Sequence, residues 1–523
     1  MILSNDILKQ YNKARTGSDK SLPCHAPSLN INFEQNGNVR ACCYNTTHLL
    51  GKWPEQTIEQ IWQGAKAEQL REYMRKNDFS AGCETCMLMI EAGNYQGVRA
   101  RSYDEFAVTP LWTPVQFIKN KLSGQLPYPR VMEFELSNQC NLECVMCTGY
   151  FSSSIRKNRE KLPAIHSPYN SDFVKQLEPF IPHLTDAKFL GGEPFMIDIY
   201  LEIWESILRL NPKMRIHITT NGTFLNNRIK QLLEGLRAGI ILSIDSTVKE
   251  TYNKIRINGN YEKVMENLDY FIAYSQRKKT FISMAACPII YNWKELPQML
   301  DFCISKNIVL YFNAVFHPVE LSLREQPIPL LKEIITYLEP FCKKETPFGN
   351  FSGPYNWSVR AYNDYVKQLK GWLREREVIA EEEAKLTAIG GDDVMELDEI
   401  SEGWSLIAIN QILTSLAGLV PKYHPNRIAD LKNKLAHLLS QTPKGRLVEV
   451  FQCYLAVAAN GKAIPDDGLG EKFVIVAELL EQQPKRNEIL KQMSAVAPAD
   501  FIALIENRNV DELKRDMVIF FGG

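Results

Sequence analysis

Three cysteines, Cys140, Cys144 and Cys147, end the run Glu135-Leu-Ser-Asn-Gln-Cys-Asn-Leu-Glu-Cys-Val-Met-Cys147, just after an apolar, strand-like segment at 131–136. Thiolate is the usual protein ligand of iron–sulfur clusters. A cubane has four irons, so three thiolates leave one iron open to an exogenous ligand. The same trio also suits a zinc ion completed by a fourth ligand elsewhere, or three unrelated buried thiols. Five more cysteines lie ahead of it: Cys24, the adjacent Cys42 and Cys43, and the pair in Cys83-Glu-Thr-Cys86. Four of them, Cys24, Cys42, Cys83 and Cys86, suffice to close every iron of a second cubane, or the tetrahedron of a structural zinc. Cys43 is then either a spare thiol or the ligand in place of Cys42.

Eight of the twelve cysteines precede residue 150, while Cys287, Cys303, Cys342 and Cys453 are scattered. In a reducing compartment the clustered ones read as ligands and the scattered ones mostly as core residues, not as disulfides. A chain of 523 residues has room for about three domains. Hydrophobic content of 45% and charged content of 23% are those of an ordinary globular protein. Sixty Lys and Arg against 61 Asp and Glu give a net charge of −1, which argues against an obligatory nucleic-acid or anionic-membrane partner. Residues 1–20 are polar, and no apolar stretch reaches bilayer length, so the expected location is cytoplasmic.

The elements that must position these thiols alternate. Strand-like runs fall at 131–136, 187–190, 215–220, 239–244, 280–286 and 308–315, with amphipathic stretches at 199–210, 226–236, 261–275 and 294–305. Such alternation predicts parallel βαβ units, and in barrels built from them catalytic groups gather at the C-terminal strand ends. Residues with chemical capacity follow those ends here. Leu190-Gly-Gly-Glu-Pro-Phe195 pairs a backbone free to approach a ligand, at Gly191 and Gly192, with the carboxylate of Glu193. Thr219-Thr-Asn-Gly-Thr223, then Leu242-Ser-Ile-Asp-Ser246, then Glu250-Thr-Tyr-Asn-Lys-Ile-Arg256 follow in order. Asp245 at a strand end is also a common helix cap.

With these motifs at successive strand ends, the chain strongly resembles the radical S-adenosylmethionine (SAM) superfamily. The resemblance covers roughly residues 20–320. It implies an α/β fold with a partial (β/α)6 barrel, and a [4Fe–4S] cluster on Cys140, Cys144 and Cys147 whose open iron binds SAM. It further implies that Gly191, Gly192 and Glu193 meet the methionyl amine, and that Asn221 meets the ribose or the methionyl carboxylate. Ser243 and Asp245 would stand at the barrel mouth, Asp245 as a ribose partner. Arg256 would pair with the SAM carboxylate, a contact that suits a guanidinium fork. Met146 occupies a position commonly aromatic in the family and would pack against adenine. Asn292, beyond the fifth strand, is a weaker candidate contact.

Cys24 is followed by twelve residues, Gly37, four residues and Cys42, and later by the Cys83–Cys86 pair. This pattern resembles the twitch domain, a shortened relative of the SPASM domain, and implies one auxiliary [4Fe–4S] cluster on Cys24, Cys42, Cys83 and Cys86. Such a domain more often follows the barrel; here it precedes it. Residues 28–33 and 38–42 read as a hairpin turning at Asn36-Gly37, and 57–75 as an amphipathic helix. The expected organisation is an auxiliary cluster domain at 1–94, a connector at 95–129 and the barrel at 130–320. A helical extension at 321–387, an acidic linker at 388–403 and a helical domain at 404–523 follow.

By the same resemblance the expected activity is reductive cleavage of SAM to a 5′-deoxyadenosyl radical that abstracts hydrogen from a substrate. A peptide or protein substrate leads, because twitch and SPASM proteins often modify ribosomal peptides. The alternatives are a dehydrogenase of a carbohydrate or cyclitol alcohol and a non-catalytic metal scaffold. An electron donor such as flavodoxin or ferredoxin is implied, with no nucleic acid and no membrane. Cys287, which ends the fifth strand, is either a hydrogen-atom donor or an inert buried thiol.

Overall fold

The computed structural model describes residues 2–389, apart from 16, 18, 46, 92, 108–127 and 347–352. The helical domain expected at 404–523, nearly all of the acidic linker and much of the connector lie outside the described residues. The chain divides into two units, 1–376 and 377–523, and the fold below is that of the first.

Three short strands come first: β1 (Asn30–Glu34), β2 (Asn38–Arg40) and β3 (Gly51–Lys52). Six more follow, as β4 (Val131–Glu135), β5 (Asp186–Phe189), β6 (Arg215–Thr220), β7 (Arg237–Ser243), β8 (Ile282–Ala286) and β9 (Val309–Phe312). They form one open sheet in the order β3–β2–β1–β4–β5–β6–β7–β8–β9. Every neighbour pair from β4 to β9 is parallel, which is the expected partial barrel. Helices return the chain between strands, among them Asp198–Leu210, Asn227–Gly235, Tyr261–Lys278 and Leu296–Lys306.

The hairpin of β1 and β2 is present, with Gly37 in the left-handed region at φ +88°. Its role differs from a free-standing hairpin. β1 pairs in parallel with β4 over five residues, so the cysteine-rich region extends the barrel sheet by a seventh parallel strand. A row of aromatic rings crosses this seam: Phe33 stacks on Phe134 at 5.5 Å, and Phe134 on Phe189 at 5.0 Å. Contacts of this kind add about 0.5–1.5 kcal/mol each beyond area burial. The helix expected at 57–75 is two helices, Ile58–Trp62 and Ala65–Arg75, because Gly64 adopts an extended conformation and starts the second.

Alternation along the strands divides the residues between two faces. Phe33, Phe134, Phe189, Ile218, Ile240 and Met284 join the core beneath the helices. The opposite, inner face is polar: Asn32, Glu133, Lys188 and His217 stand in register across β1, β4, β5 and β6. Among the described residues no helix is long and apolar enough to cross a membrane.

Candidate functional site

The loop bearing Cys140, Cys144 and Cys147 leaves the C-terminal end of β4 and is tied down from three sides. Tyr200 braces its root: its hydroxyl accepts from Leu136 N–H (2.9 Å) and lies within 2.9 Å of the carbonyls of Phe134 and Leu190. The Gly191-Gly192-Glu193 turn forms the second side. Gly192 N–H donates to Ser137 O (2.9 Å) and Glu193 N–H to Gln139 O (2.7 Å). Only glycine fits there, since Gly191 has φ +104° and a Cβ on Gly192 would lie 2.2 Å from Gln139 O. The third side is the segment after helix Lys249–Ile255, where Glu143 N–H bonds Ile257 O (3.0 Å) and Val145 N–H bonds Ile255 O (2.9 Å). Ser153 and Ser154 hydroxyls hold the Cys140 carbonyl at 3.2 and 2.9 Å.

Burial raises all three thiols, Cys140 to about 11 and Cys147 to about 12, with the neighbouring cysteines adding to the shift at Cys147. Thiols this basic stay protonated until a metal displaces the proton. Donors already point at two sulfurs: Asn221 Nδ2 lies 3.8 Å from Cys140 Sγ and Arg256 Nη1 lies 3.8 Å from Cys144 Sγ. Hydrogen bonds of this kind suit sulfurs carrying the charge of an iron–sulfur cluster, and the trio therefore fits such a group.

The other expected contacts have definite partners. Glu193 is fully buried; its carboxylate accepts from Thr220 Oγ1 (2.6 Å), Asn221 N–H (2.7 Å) and Phe195 N–H (3.1 Å). Burial nevertheless pushes it up to about 7. It braces the ends of β5 and β6. Asn221 also bonds Asn141 Oδ1 through its amide (3.1 Å). Asp245 and Arg256, expected as separate SAM contacts, form a buried ion pair with each other (Oδ2 to Nε, 2.7 Å). Asn292 donates to Asp245 O (2.7 Å) and Cys287 O (3.0 Å), and so ties two loops together. Ser243 ends β7 on the inner face, half-buried. Met146 packs beside Cys287 against Ile255, Ile289, Val315 and Leu321. Nothing in the sequence marked Arg159, whose guanidinium reaches the carbonyls of Cys144 (3.4 Å) and Cys147.

The second site gathers Cys24, Cys42, Cys83 and Cys86 around one cavity, with Tyr44, Asn45, Phe79, Ala100 and Tyr103 completing its walls. Cys43 is not among the lining residues. All four thiols are raised by burial, Cys42 to about 11. Asn45 Nδ2 approaches Cys83 Sγ at 3.4 Å. Among the described residues no three His, Cys, Asp or Glu groups converge tightly enough to grip a single ion. Four thiols around a shared cavity fit a cubane, which carries its thiolates on separate corners. Between this cavity and the inner face lies a charged network that the sequence did not announce. Arg99 (2.9 Å) and Lys188 (2.7 Å) share Glu133 Oε1, and Tyr103 hydroxyl stands 3.4 Å from it.

Comparisons with known proteins match two segments of the chain. Residues 134–303 match the model of the radical SAM superfamily, and residues 24–87 match the SPASM iron–sulfur cluster-binding domain. An uncharacterized protein of Archaeoglobus fulgidus is 28% identical over 34% of this chain and 40% of its own length. A probable GTP 3′,8-cyclase of Methanocaldococcus jannaschii is 29% identical over 36% of this chain and 58% of its own. The chain thus spans about half the length of these curated relatives. The crystal structure of Streptococcus suis SuiB bound to S-adenosylmethionine is 14% identical, with a TM-score of 0.32, over 51% of this chain and 61% of that one. The two matched domains imply a SAM-bound [4Fe–4S] cluster and an auxiliary iron–sulfur cluster as the cofactors. Residues 134–303 thus belong to the radical SAM superfamily domain, with a SPASM-type cluster-binding domain ahead of it at 24–87.

Proposed function

We propose that this chain is a radical SAM enzyme that acts on a peptide or protein, with Cys140, Cys144 and Cys147 holding the SAM-binding cluster. Cys24, Cys42, Cys83 and Cys86 hold the auxiliary one. When bound and reduced, the first cluster would supply one-electron cleavage of SAM, the radical chemistry that allows hydrogen abstraction from a substrate. The protein's part is to fix three thiolates at the barrel mouth, keep them dry and present a polar inner face. An electron donor of the flavodoxin or ferredoxin class is required, and a reducing cytoplasm suits thiolate clusters at both sites.

The observation that carries the substrate class is the charge balance of the inner face. Three of its cations already meet carboxylates: Lys188 meets Glu133, Arg40 meets Glu34 at 2.8 Å, and Arg215 meets Asp186 at 2.8 Å. A triphosphate needs uncompensated positive charge, whereas a peptide backbone needs hydrogen-bonding groups without net charge. A small-molecule substrate is the second reading, favoured by relatives named as probable GTP 3′,8-cyclases. A carbohydrate or cyclitol alcohol belongs to the same reading.

The test is anaerobic turnover of the reconstituted full chain with dithionite and SAM. The expected result is 5′-deoxyadenosine that disappears in Cys144→Ala, together with a mass change in a peptide encoded beside this gene. A new product from GTP or a free sugar, with those peptides untouched, would favour the second reading. Metal binding without any 5′-deoxyadenosine would promote the scaffold reading to first place.

A further inference from the structure

Arg256 is the most constrained cation near the three cysteines, and its surroundings point to a duty other than binding an anion in solution. The backbone bonds from Glu143 N–H to Ile257 O and from Val145 N–H to Ile255 O flank Cys144 on one strand of chain and Arg256 on the other. They hold the two residues in fixed register. Arg256 is only 6% exposed and Asp245 is fully buried. One Asp245 carboxylate oxygen forms an ion pair with Arg256 Nε at 2.7 Å, and the other accepts from Cys287 N–H (2.7 Å). Asn292 fastens the Asp245 carbonyl at 2.7 Å. The guanidinium is thereby turned so that Nη1 faces Cys144 Sγ at 3.8 Å.

We propose that Arg256, clamped by Asp245, is a positioning residue that holds an oriented positive charge and an N–H donor against the Cys144 sulfur, and so favours the reduced state of the cluster bound there. This rests on the radical SAM reading above. The physical ground is that reduction adds negative charge to the cluster and its thiolates. Hydrogen bonds to sulfur and nearby positive charge stabilise that state and raise the reduction potential. Burial magnifies the effect, because little water screens the pair. Asp245 neutralises the guanidinium overall, so what the sulfur meets is the positive end of a fixed dipole. Lys in place of Arg256 lacks the fork that reaches both partners.

The test is a potentiometric titration of the anaerobically reconstituted full chain, following by electron paramagnetic resonance the cluster signal that changes when SAM is added. Arg256→Gln leaves the Asp245 carboxylate uncompensated beside Cys144. Its midpoint should fall, with the reduced fraction at the native midpoint down roughly fivefold. Asp245→Asn leaves the cation uncompensated and should move the midpoint the other way. Should Arg256→Gln fail to retain iron, the upward shift in Asp245→Asn still decides the matter. Unchanged midpoints in both variants, with a raised KM for SAM in Arg256→Gln, would overturn the assignment and make Arg256 a SAM carboxylate receptor. A native protein with no SAM-responsive signal would overturn the radical SAM reading itself, which keeps the two failures distinct.

Discussion

Gly192→Ala is the sharpest test of how the cluster loop is held. A Cβ on Gly192 falls 2.2 Å from Gln139 O and 2.6 Å from the carbonyl carbons of Asn138 and Gln139. These are backbone atoms with no rotamer to take, so the loop before Cys140 must retreat by about 1 Å to regain ordinary contact. Two hydrogen bonds cross the same seam, Gly192 N–H to Ser137 O (2.9 Å) and Glu193 N–H to Gln139 O (2.7 Å). Losing both costs about 2 kcal/mol, and overpacking adds about 1–3 kcal/mol. The sum, about 3–5 kcal/mol, falls on the residues that aim Cys140 and leaves the sheet hydrogen bonds intact. The variant should therefore fold and keep its auxiliary cluster while assembling the SAM-binding one poorly. Iron and acid-labile sulfide counted after anaerobic reconstitution should drop from roughly eight toward roughly four irons per chain. Native iron content, with an unchanged SAM-responsive signal, would refute the reasoning.

Three further outcomes are expected. Glu193 sits at about 7, above its ordinary 4.5; a carboxyl raised by burial stabilises the fold below pH 4.5, and that contribution is lost as pH climbs through 7. Denaturant unfolding of the cluster-free protein should show the stability difference between native and Glu193→Gln falling by up to about 3 kcal/mol across that window, and a flat difference would sink the idea. Cys42→Ser should lose the auxiliary cluster and Cys43→Ser should keep it, as iron counting will show; the reverse would place Cys43 on the cluster. Glu133→Gln leaves Arg99 and Lys188, with side chains 28% and 22% exposed, facing each other without their shared carboxylate. Urea unfolding should register a loss of about 2–4 kcal/mol, and a loss under half a kilocalorie would mean the network is solvated.

The sequence by itself determined the local chemistry. Thiol spacing, the glycines at 191 and 192 and the alternation of strands with helices are written in residue types, because each follows from short-range geometry. The order of the parallel strands from β4 to β9 was legible for the same reason, since βαβ units dictate it. Other features came only from tertiary structure. No periodicity says that β1 will pair with β4 across an intervening stretch of nearly a hundred residues, yet that pairing merges the cysteine-rich region with the barrel. Asp245 and Arg256 read separately as two polar groups at strand and helix ends. Only the backbone register of 143–145 against 255–257 reveals that they face each other and Cys144. Cys42 and Cys43 are neighbours in sequence, and the fold tells them apart by placing only Cys42 on the auxiliary cavity. The Arg99–Glu133–Lys188 network was invisible because its members come from three distant segments, and a charge declares its partner only when burial forces the choice.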